Sequence, residues 1–326
     1  MHPTTANENS EPAQRIGIVA GWGSFPVELA QHYRDQGAEV FVVAIKDHAA
    51  REIEQLATHC RWTGVLKIGA SIRYLRSKGV EHVAFAGKIF KERILYHGRG
   101  WIDHMPDFTC IRILGSSFVT RSKDGRDDTV LSAIVAEYER RGIKVMPITD
   151  LAKHLLASEG CLTRRGLTRA QEKDVNFGWE IARQMGGLDI GQSITVKDQI
   201  VLGVEAIEGT DALIARTQTV CPRGGFTLIK VAKPDQDMRF DVPTIGPQTI
   251  ERLAQAGGRG LAVEAGRTII VELERTISLA NKHSIAISVM PSETPAMQSL
   301  NNSSANGMIV RPTDNALHRD EYRKAA

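Results

Sequence analysis

Between Arg15 and Ala86 the chain alternates short apolar runs with amphipathic stretches, and this period constrains the fold more than any other feature. Residues 15–20 read as a buried strand and Gly21-Trp22-Gly23-Ser24 as a tight turn. Residues 25–36 read as an amphipathic helix, with Pro26 in its first turn, where a missing N–H does no harm. Further strands are predicted at 39–45, 62–67 and 82–86, with helices over 49–57 and 70–78. Strands alternating with helices of this length predict a parallel sheet with helices on both faces. In such sheets ligands bind beyond the carboxyl ends of the strands, so Gly21, Gly23, Gly87 and Lys88 are expected to line one crevice. Pro26 stands where a dinucleotide fingerprint wants glycine, so that particular use of the turn is poorly supported.

Further along, residues 95–107 read as an irregular loop carrying Trp101, Ile102 and Met105. Asp127-Asp128 opens a helix running to Arg141, where acidic side chains suit the free N–H groups and the dipole. Residues 143–148 read as a strand and 150–157 as a helix. Glycines and basic, hydroxyl-rich turns at 158–169 suggest a hinge. A helix over 170–185 follows, then a hairpin of strands 193–197 and 200–204. Glu208-Gly-Thr-Asp211 leads into a helix at 212–216, either as a turn and cap or as a ligand-bearing segment. Strands at 226–231, 260–263 and 268–272 and helices at 248–256 and up to Lys282 complete a second α/β region. This divides the chain into 15–158, a hinge at 159–169, and 170–290, with polar tails at 1–14 and 291–326 expected to be disordered.

The densest chemistry lies in Gly224–Gly246, GGFTLIKVAKPDQDMRFDVPTIG. Pro234 ends the strand before it. On an extended backbone Asp235, Asp237, Arg239 and Asp241 would share one side, spaced roughly 6.5 Å apart. Solvent-face charges protecting a sheet edge are the competing reading. With no P-loop, no HExxH and no GxSxG in the chain, carboxylates with lysine and arginine remain, a set suited to a hard cation and phosphate. Asp237, Asp241, Glu208 and Asp211 supply the first part; Lys230, Lys233 and Arg239 supply the second.

The totals exclude little beyond extremes. A net charge of +3 in 326 residues is too mild to argue for nucleic acid. Four widely spaced cysteines (Cys60, Cys110, Cys161, Cys221) offer no metal spacing and read as reduced, mostly buried thiols of a cytoplasmic protein. No apolar run of about 18 residues exists, and the polar start lacks a signal peptide's apolar core.

Several motifs together resemble the LpxI-type UDP-2,3-diacylglucosamine pyrophosphatases of lipid A biosynthesis. They are IGIVAGWGSFPVELA at 16–30, AGKI at 86–89, DDTVLSAIV at 127–135, LTRRGLTRAQEKD at 162–174 and GGLDIGQSITVKD at 186–198. VEAIEGTDALIAR at 204–216, the 224–246 stretch and GLAVEAGRTIIV at 260–271 complete the match. The resemblance implies a Rossmann-like N-terminal domain and a C-terminal α/β catalytic domain closing on UDP-2,3-diacylglucosamine. It implies hydrolysis to UMP and 2,3-diacylglucosamine 1-phosphate, with water directed at the phosphorus on the sugar side, and a divalent ion, Mg²⁺ or Mn²⁺. The essential carboxylate falls by motif on Asp237, with Asp241 close behind.

The expected catalytic residues are Asp237, Asp241, Lys233 and Arg239, and the expected metal ligands Asp237, Asp241 and Glu208. Substrate contacts are expected from Gly21, Gly23, Gly87, Lys88, Asp127, Asp128, Thr168, Gln192, Thr210, Asp211, Lys230 and Gln236. An apolar groove would take the acyl chains, and peripheral contact with the inner leaflet would follow. Trp22 in the glycine turn and Asp235, where glycine is commoner, depart from the pattern. A homodimer stays open, and a non-catalytic nucleotide-sugar or dinucleotide-binding protein is the competing reading.

Overall fold

The computed structural model describes residues 14–89, 105–119, 127–234 and 236–292. The first lobe runs β1 (Arg15–Ala20), α1 (Phe25–Asp35), β2 (Glu39–Ile45), α2 (Ile53–Leu56), β3 (His59–Thr63), α3 (Ile68–Ser77) and β4 (His82–Ala86). It continues with α4 (Phe108–Val119), α5 (Asp127–Arg140), β5 (Lys144–Val145) and α6 (Ile148–Leu151). Its five strands are all parallel in the order β3-β2-β1-β4-β5. β1 and β2 are buried on both faces, which is why they read as continuous apolar runs rather than alternating ones. The order reverses between β1 and β4, and the chain leaves both strands at the same end of the sheet.

The second lobe contains β6 (Gly160–Cys161), α7 (Arg169–Gly187), β7 (Ser193–Lys197), β8 (Ile200–Val204), α8 (Gly209–Val220) and β9 (Thr227–Lys230). After β10 (Thr244–Ile245) and α9 (Pro247–Ala256) come β11 (Gly260–Glu264), β12 (Ile269–Ile270), α10 (Leu273–Lys282) and β13 (Ala286–Met290). Its six-stranded sheet has the order β6-β13-β11-β9-β7-β8, with β13, β11 and β9 parallel and the outer strands antiparallel. The β7–β8 hairpin turns on Asp198 and Gln199, both left-handed (φ 51° and 58°), the backbone that a tight two-residue hairpin demands. α7 starts with a reciprocal capping box between Thr168 and Gln171.

The two lobes share apolar core. Ile269 and Val271 are buried among Ile16, Leu29, Ile148 and Leu151 of the first lobe. Tyr33 donates its hydroxyl to the Leu151 carbonyl, and β10 pairs with β12 in a small parallel unit of its own.

Mixed α/β architecture with a parallel sheet followed by a second sheet agrees with the sequence expectation. Local differences have local causes. α4 exposes large apolar residues, Phe108 and Ile111, beside its buried ones, which hides its helical period, and β13 sits where the sequence offered no alternation. β3 begins at His59, three residues before the expected strand, and the expected strand at 143–148 pairs only over Lys144–Val145 before α6 starts. The stretch expected as a hinge carries β6, an edge strand on β13. Residues 95–104, both tails from 13 back and 293 on, and Asp235 lie outside the described residues. Among the cysteines, Cys110 and Cys221 are buried and Cys161 is exposed; all four are free.

Around Glu137 the first lobe gathers charge. Its carboxylate, 6% exposed, is paired with Arg112, Arg140 and Arg141 at 2.6–2.8 Å. The Arg140 hydrogen bond, with help from Arg141 and Arg112, holds its carboxyl down at about 2. A depressed carboxylate stabilises fully above its unfolded value of 4.5 and loses that contribution as pH falls towards 2. Glu137→Gln is therefore expected to lower unfolding free energy by roughly 2–4 kcal/mol at pH 7 and to flatten the acid limb of a urea-midpoint-against-pH curve.

Candidate active-site cleft

Two loops leave the carboxyl ends of β1 and β4 and are clipped together by backbone. Trp22 N–H donates to Lys88 O (2.8 Å), Lys88 N–H returns to Trp22 O (3.0 Å), and Gly21 N–H donates to Ala86 O (2.7 Å). The glycines are explained by this approach. A Cβ on Gly21 would lie 2.7 Å from Lys88 O, and one on Gly87, whose φ is +89°, would lie 2.7 Å from Trp22 O.

Beyond this clip lies a cleft of about 710 Å³. The first lobe lines it with Trp22, Gly23, Ser24, Phe25, Phe85, Gly87, Lys88 and Ile148. The second lobe contributes Gln192, Glu205, Lys230, the start of α8 (Glu208, Gly209, Thr210, Asp211), Phe240-Asp241-Val242, and the segments around Pro247 and Glu272–Arg275.

At its centre is Lys230, on β9 and only 7% exposed. Its ammonium donates to Thr210 Oγ1 (3.1 Å), and Thr210 donates onward to Glu205 Oε1 (2.9 Å), with Ser193 Oγ 3.3 Å from the same hydroxyl. Burial pushes the Lys230 pKa down; the carboxylates of Glu205, Asp211 and Asp241 oppose this, and Lys88 reinforces it. Those four side chains therefore act on one buried charge, and the cleft is mixed in sign rather than purely basic. Three of its carboxylates are already paired: Asp211 with Arg252 (3.0 Å), Glu208 with Arg216 (2.8 Å) and Glu272 with Arg275 (2.7 Å).

The acidic stretch does not run extended. Phe240 N–H and Asp241 N–H both donate to Asp237 O (3.2 and 3.0 Å), closing a turn over 237–241. The cause is Arg239, which folds back on its neighbour: its backbone N–H and Nε donate to Asp237 Oδ1 (3.0 Å each) and Nη2 to Oδ2 (2.7 Å). Arg239 also bridges to Glu139 on α5 (3.2 Å). Arg239 accordingly holds the Asp237 carboxyl below its ordinary value. Asp241 lines the cleft whereas Asp237 and Arg239 do not, and the turn replaces the extended backbone on which one shared acidic face was expected.

Of the expected substrate contacts, Gly23, Gly87, Lys88, Gln192, Thr210, Asp211 and Lys230 line the cleft, and Gly21 backs it. Gln236 is buried outside it, accepting from Lys233 N–H (2.9 Å). Lys233 pairs with Asp189 (2.6 Å) rather than facing the cleft. Thr168 is spent on the α7 cap. Asp127 and Asp128 open α5, with side chains outside the described ones. The expected ligand set of Asp237, Asp241 and Glu208 does not converge. Among the described residues no three His, Cys, Asp or Glu side chains form a metal-holding group. Sequence reasoning missed Glu205, Phe240 and Arg275 as lining residues. The signal for Glu205 was its place, the first charge after the apolar strand β8.

Two family models cover the described chain: the LpxI N-terminal domain over residues 15–155 and the LpxI C-terminal domain over 158–288. The chain belongs to the LpxI family. It is 31% identical over 259 residues to the UDP-2,3-diacylglucosamine pyrophosphatase LpxI of Caulobacter vibrioides, covering 77% of this chain and 89% of that one. Among solved structures, CobK precorrin-6A reductase aligns with 14% identity and a TM-score of 0.29 over 90% of this chain and 96% of that one. The biotin carboxylase domain of Hydrogenobacter thermophilus 2-oxoglutarate carboxylase aligns with 11% identity and 0.23 over 57% and 35%. Both likenesses are too slight to bear on function.

Both LpxI domains build the cleft, and the backbone clip belongs wholly to the first. Gly87→Ala meets a carbonyl and a left-handed backbone together and is expected to destabilise by roughly 1–3 kcal/mol. Gly23→Ala, at φ +110° with nothing within 4 Å of the added carbon, should cost less. Urea unfolding of the two variants checks the order; equal losses would show that the clip does not constrain the loop.

Proposed function

We propose that this cleft hydrolyses the pyrophosphate of UDP-2,3-diacylglucosamine, releasing UMP and 2,3-diacylglucosamine 1-phosphate. The observation that carries the reading is the buried Lys230 ammonium, set beside Lys88 and the N-terminal turn of α8, with Asp241 on the same wall. Cations and a helix N-terminus favour a pyrophosphate. A carboxylate among them suits a water nucleophile. The name of the Caulobacter relative agrees with this reading.

In the proposed reaction, water adds to the phosphorus on the sugar side. The bond from that phosphorus to the bridging oxygen breaks, and the electron pair leaves with UMP. Asp241 takes a proton from the water, while Lys230 and Lys88 stabilise charge on the phosphoryl oxygens. Asp237 and Arg239 serve as positioning residues: together they shape the turn that aims Asp241, and Arg239 ties it to α5 through Glu139.

Mg²⁺ or Mn²⁺ fits this cleft only in part. Asp237 and Glu208 are occupied by arginines, whereas Asp241 fits as a single protein carboxylate, and magnesium commonly completes its shell with water and phosphate oxygens. Such an ion would supply Lewis-acid stabilisation of the transferred phosphoryl group.

The acyl chains call for an apolar neighbour. Leu188 (72% exposed), Ile190 (46%) and Ile207 lie on two loops bordering Gln192 and Glu205, at the edge of the cleft. This rim is the surface proposed to meet the inner leaflet. No helix among the described residues is long and apolar enough to cross a membrane.

Incubation with UDP-2,3-diacylglucosamine is expected to release UMP. Asp241→Asn should lower kcat by roughly a hundredfold or more at little change in KM, and Asp237→Ala should lower it too. No UMP from the parent protein would favour a purely binding role instead. Ile207→Asp should weaken flotation with anionic liposomes while leaving the unfolding midpoint unchanged; unaltered flotation would remove the rim from this role.

A further inference from the structure

One carboxylate in the cleft has a half-met requirement. Glu205 is 7% exposed and its Oε1 is satisfied by Thr210, but its Oε2 is buried without a hydrogen-bond partner. Gln192 Oε1, lining the same wall, is also buried and unpartnered. Leaving such acceptors unmet is costly, so a bound group that donates to them gains what the empty protein forgoes.

The two residues are held in register. Glu205 N–H donates to Ser193 O (2.8 Å), and a Cβ on Gly191 would lie 2.1 Å from Glu205 O, so only glycine lets the loops approach this closely. The backbones that carry the two acceptors are therefore held close together.

The donor's chemistry is limited by its neighbours. The Lys230 ammonium already sits on Thr210, and Lys88 adds a second positive charge nearby. Glu205 is thereby answered in charge by Lys230 through Thr210, so what its Oε2 lacks is a hydrogen-bond donor. A neutral O–H donor meets that need, and two acceptors from adjacent loops suit two hydroxyls on one sugar ring.

We infer that Glu205 Oε2 and Gln192 Oε1 form a hydroxyl-reading subsite that accepts hydrogen bonds from a sugar ring adjoining the pyrophosphate. This rests on the proposed reading of the cleft as a UDP-sugar site and names a specificity element within it. Ribose and glucosamine flank the pyrophosphate on either side and offer the same chemistry, so the two are separated by experiment.

Calorimetric titration of UMP against 2′,3′-dideoxy-UMP tests the ribose, and 2,3-diacylglucosamine 1-phosphate against its 4,6-dideoxy analogue tests the glucosamine. One pair is expected to differ in Kd by about tenfold or more in the parent protein. Glu205→Gln, and independently Gln192→Leu, should shrink that ratio several-fold while leaving the deoxy ligand's Kd unchanged. Equal affinities within both pairs would overturn the subsite while UMP release still upheld the wider reading. Manganese binding to the ligand-free protein that vanishes in Glu205→Gln would overturn it in favour of a cation seat. Failure of both parent ligands to bind, with no UMP released, would remove the UDP-sugar reading and this inference together.

Discussion

A lysine ammonium enclosed within a folded lobe is expensive, because desolvation of an ion costs several kcal/mol even after relaxation. Lys230 is such a group, and much of the second lobe near the cleft is arranged to make it tolerable. β9 fixes its backbone between β11 and β7, Thr210 at the start of α8 accepts its hydrogen bond, and Glu205 at the end of β8 answers its charge through that hydroxyl. Three separate elements thus converge because one charge must be satisfied. The same convergence keeps the cleft polar inside an otherwise apolar lobe, while burial leaves the ammonium depressed in pKa on the cleft lining.

The first lobe answers with backbone rather than charge. Its clip between Trp22 and Lys88 needs glycine on both sides, and Lys88 lines the same cleft as Lys230 and acts on its charge. Links between the lobes then set the width of the cleft. Ile148 N–H donates to Met238 O (2.8 Å), Arg239 reaches Glu139, and the Glu28 carboxylate accepts from Glu272 N–H (3.1 Å). Burial raises the Glu28 pKa although that hydrogen bond opposes the rise, so the buried carboxyl itself gives up stability as pH rises through the raised value. The segment carrying Asp241 is therefore held from both lobes, whereas Lys230 is held from one.

The parallel sheet was legible because β1, β2 and β4 carry their burial in composition, and the crevice beyond them follows from topology alone. The hairpin was legible for a related reason: strands on either side of a two-residue turn leave little freedom. The turn over 237–241 was not legible, since alternation of charged and apolar residues is also what a strand would show. What breaks that strand is a contact between Asp237 and Arg239, two residues apart, and no periodicity reports such a contact. Lys230 and Lys233 illustrate the same limit. One faces the cleft and the other Asp189, and a shift of three residues across a strand end decides which. α4 escaped because Phe108 and Ile111 stand exposed while Cys110 and Ile113 are buried, so apolar residues fall on both sides of the helix.

Mixed charge in a phosphate site needs a physical cause, because the carboxylates that line it would ordinarily repel a polyanion. Here Asp211 and Glu208 are neutralised by Arg252 and Arg216, and Glu205 is answered by Lys230 through Thr210. Asp241 and Glu251 line the cleft without an arginine among the ion pairs described, and of the two Asp241 is the one that acts on the Lys230 charge. A carboxylate that must meet a polyanion is unfavourable in the resting cleft. It becomes favourable only where a proton is being released or a cation is shared between the two. Arginines thus occupy the carboxylates on either side of Asp241, through pairings spread over α8, α9 and the turn at 237–241, and this supports the role proposed for Asp241.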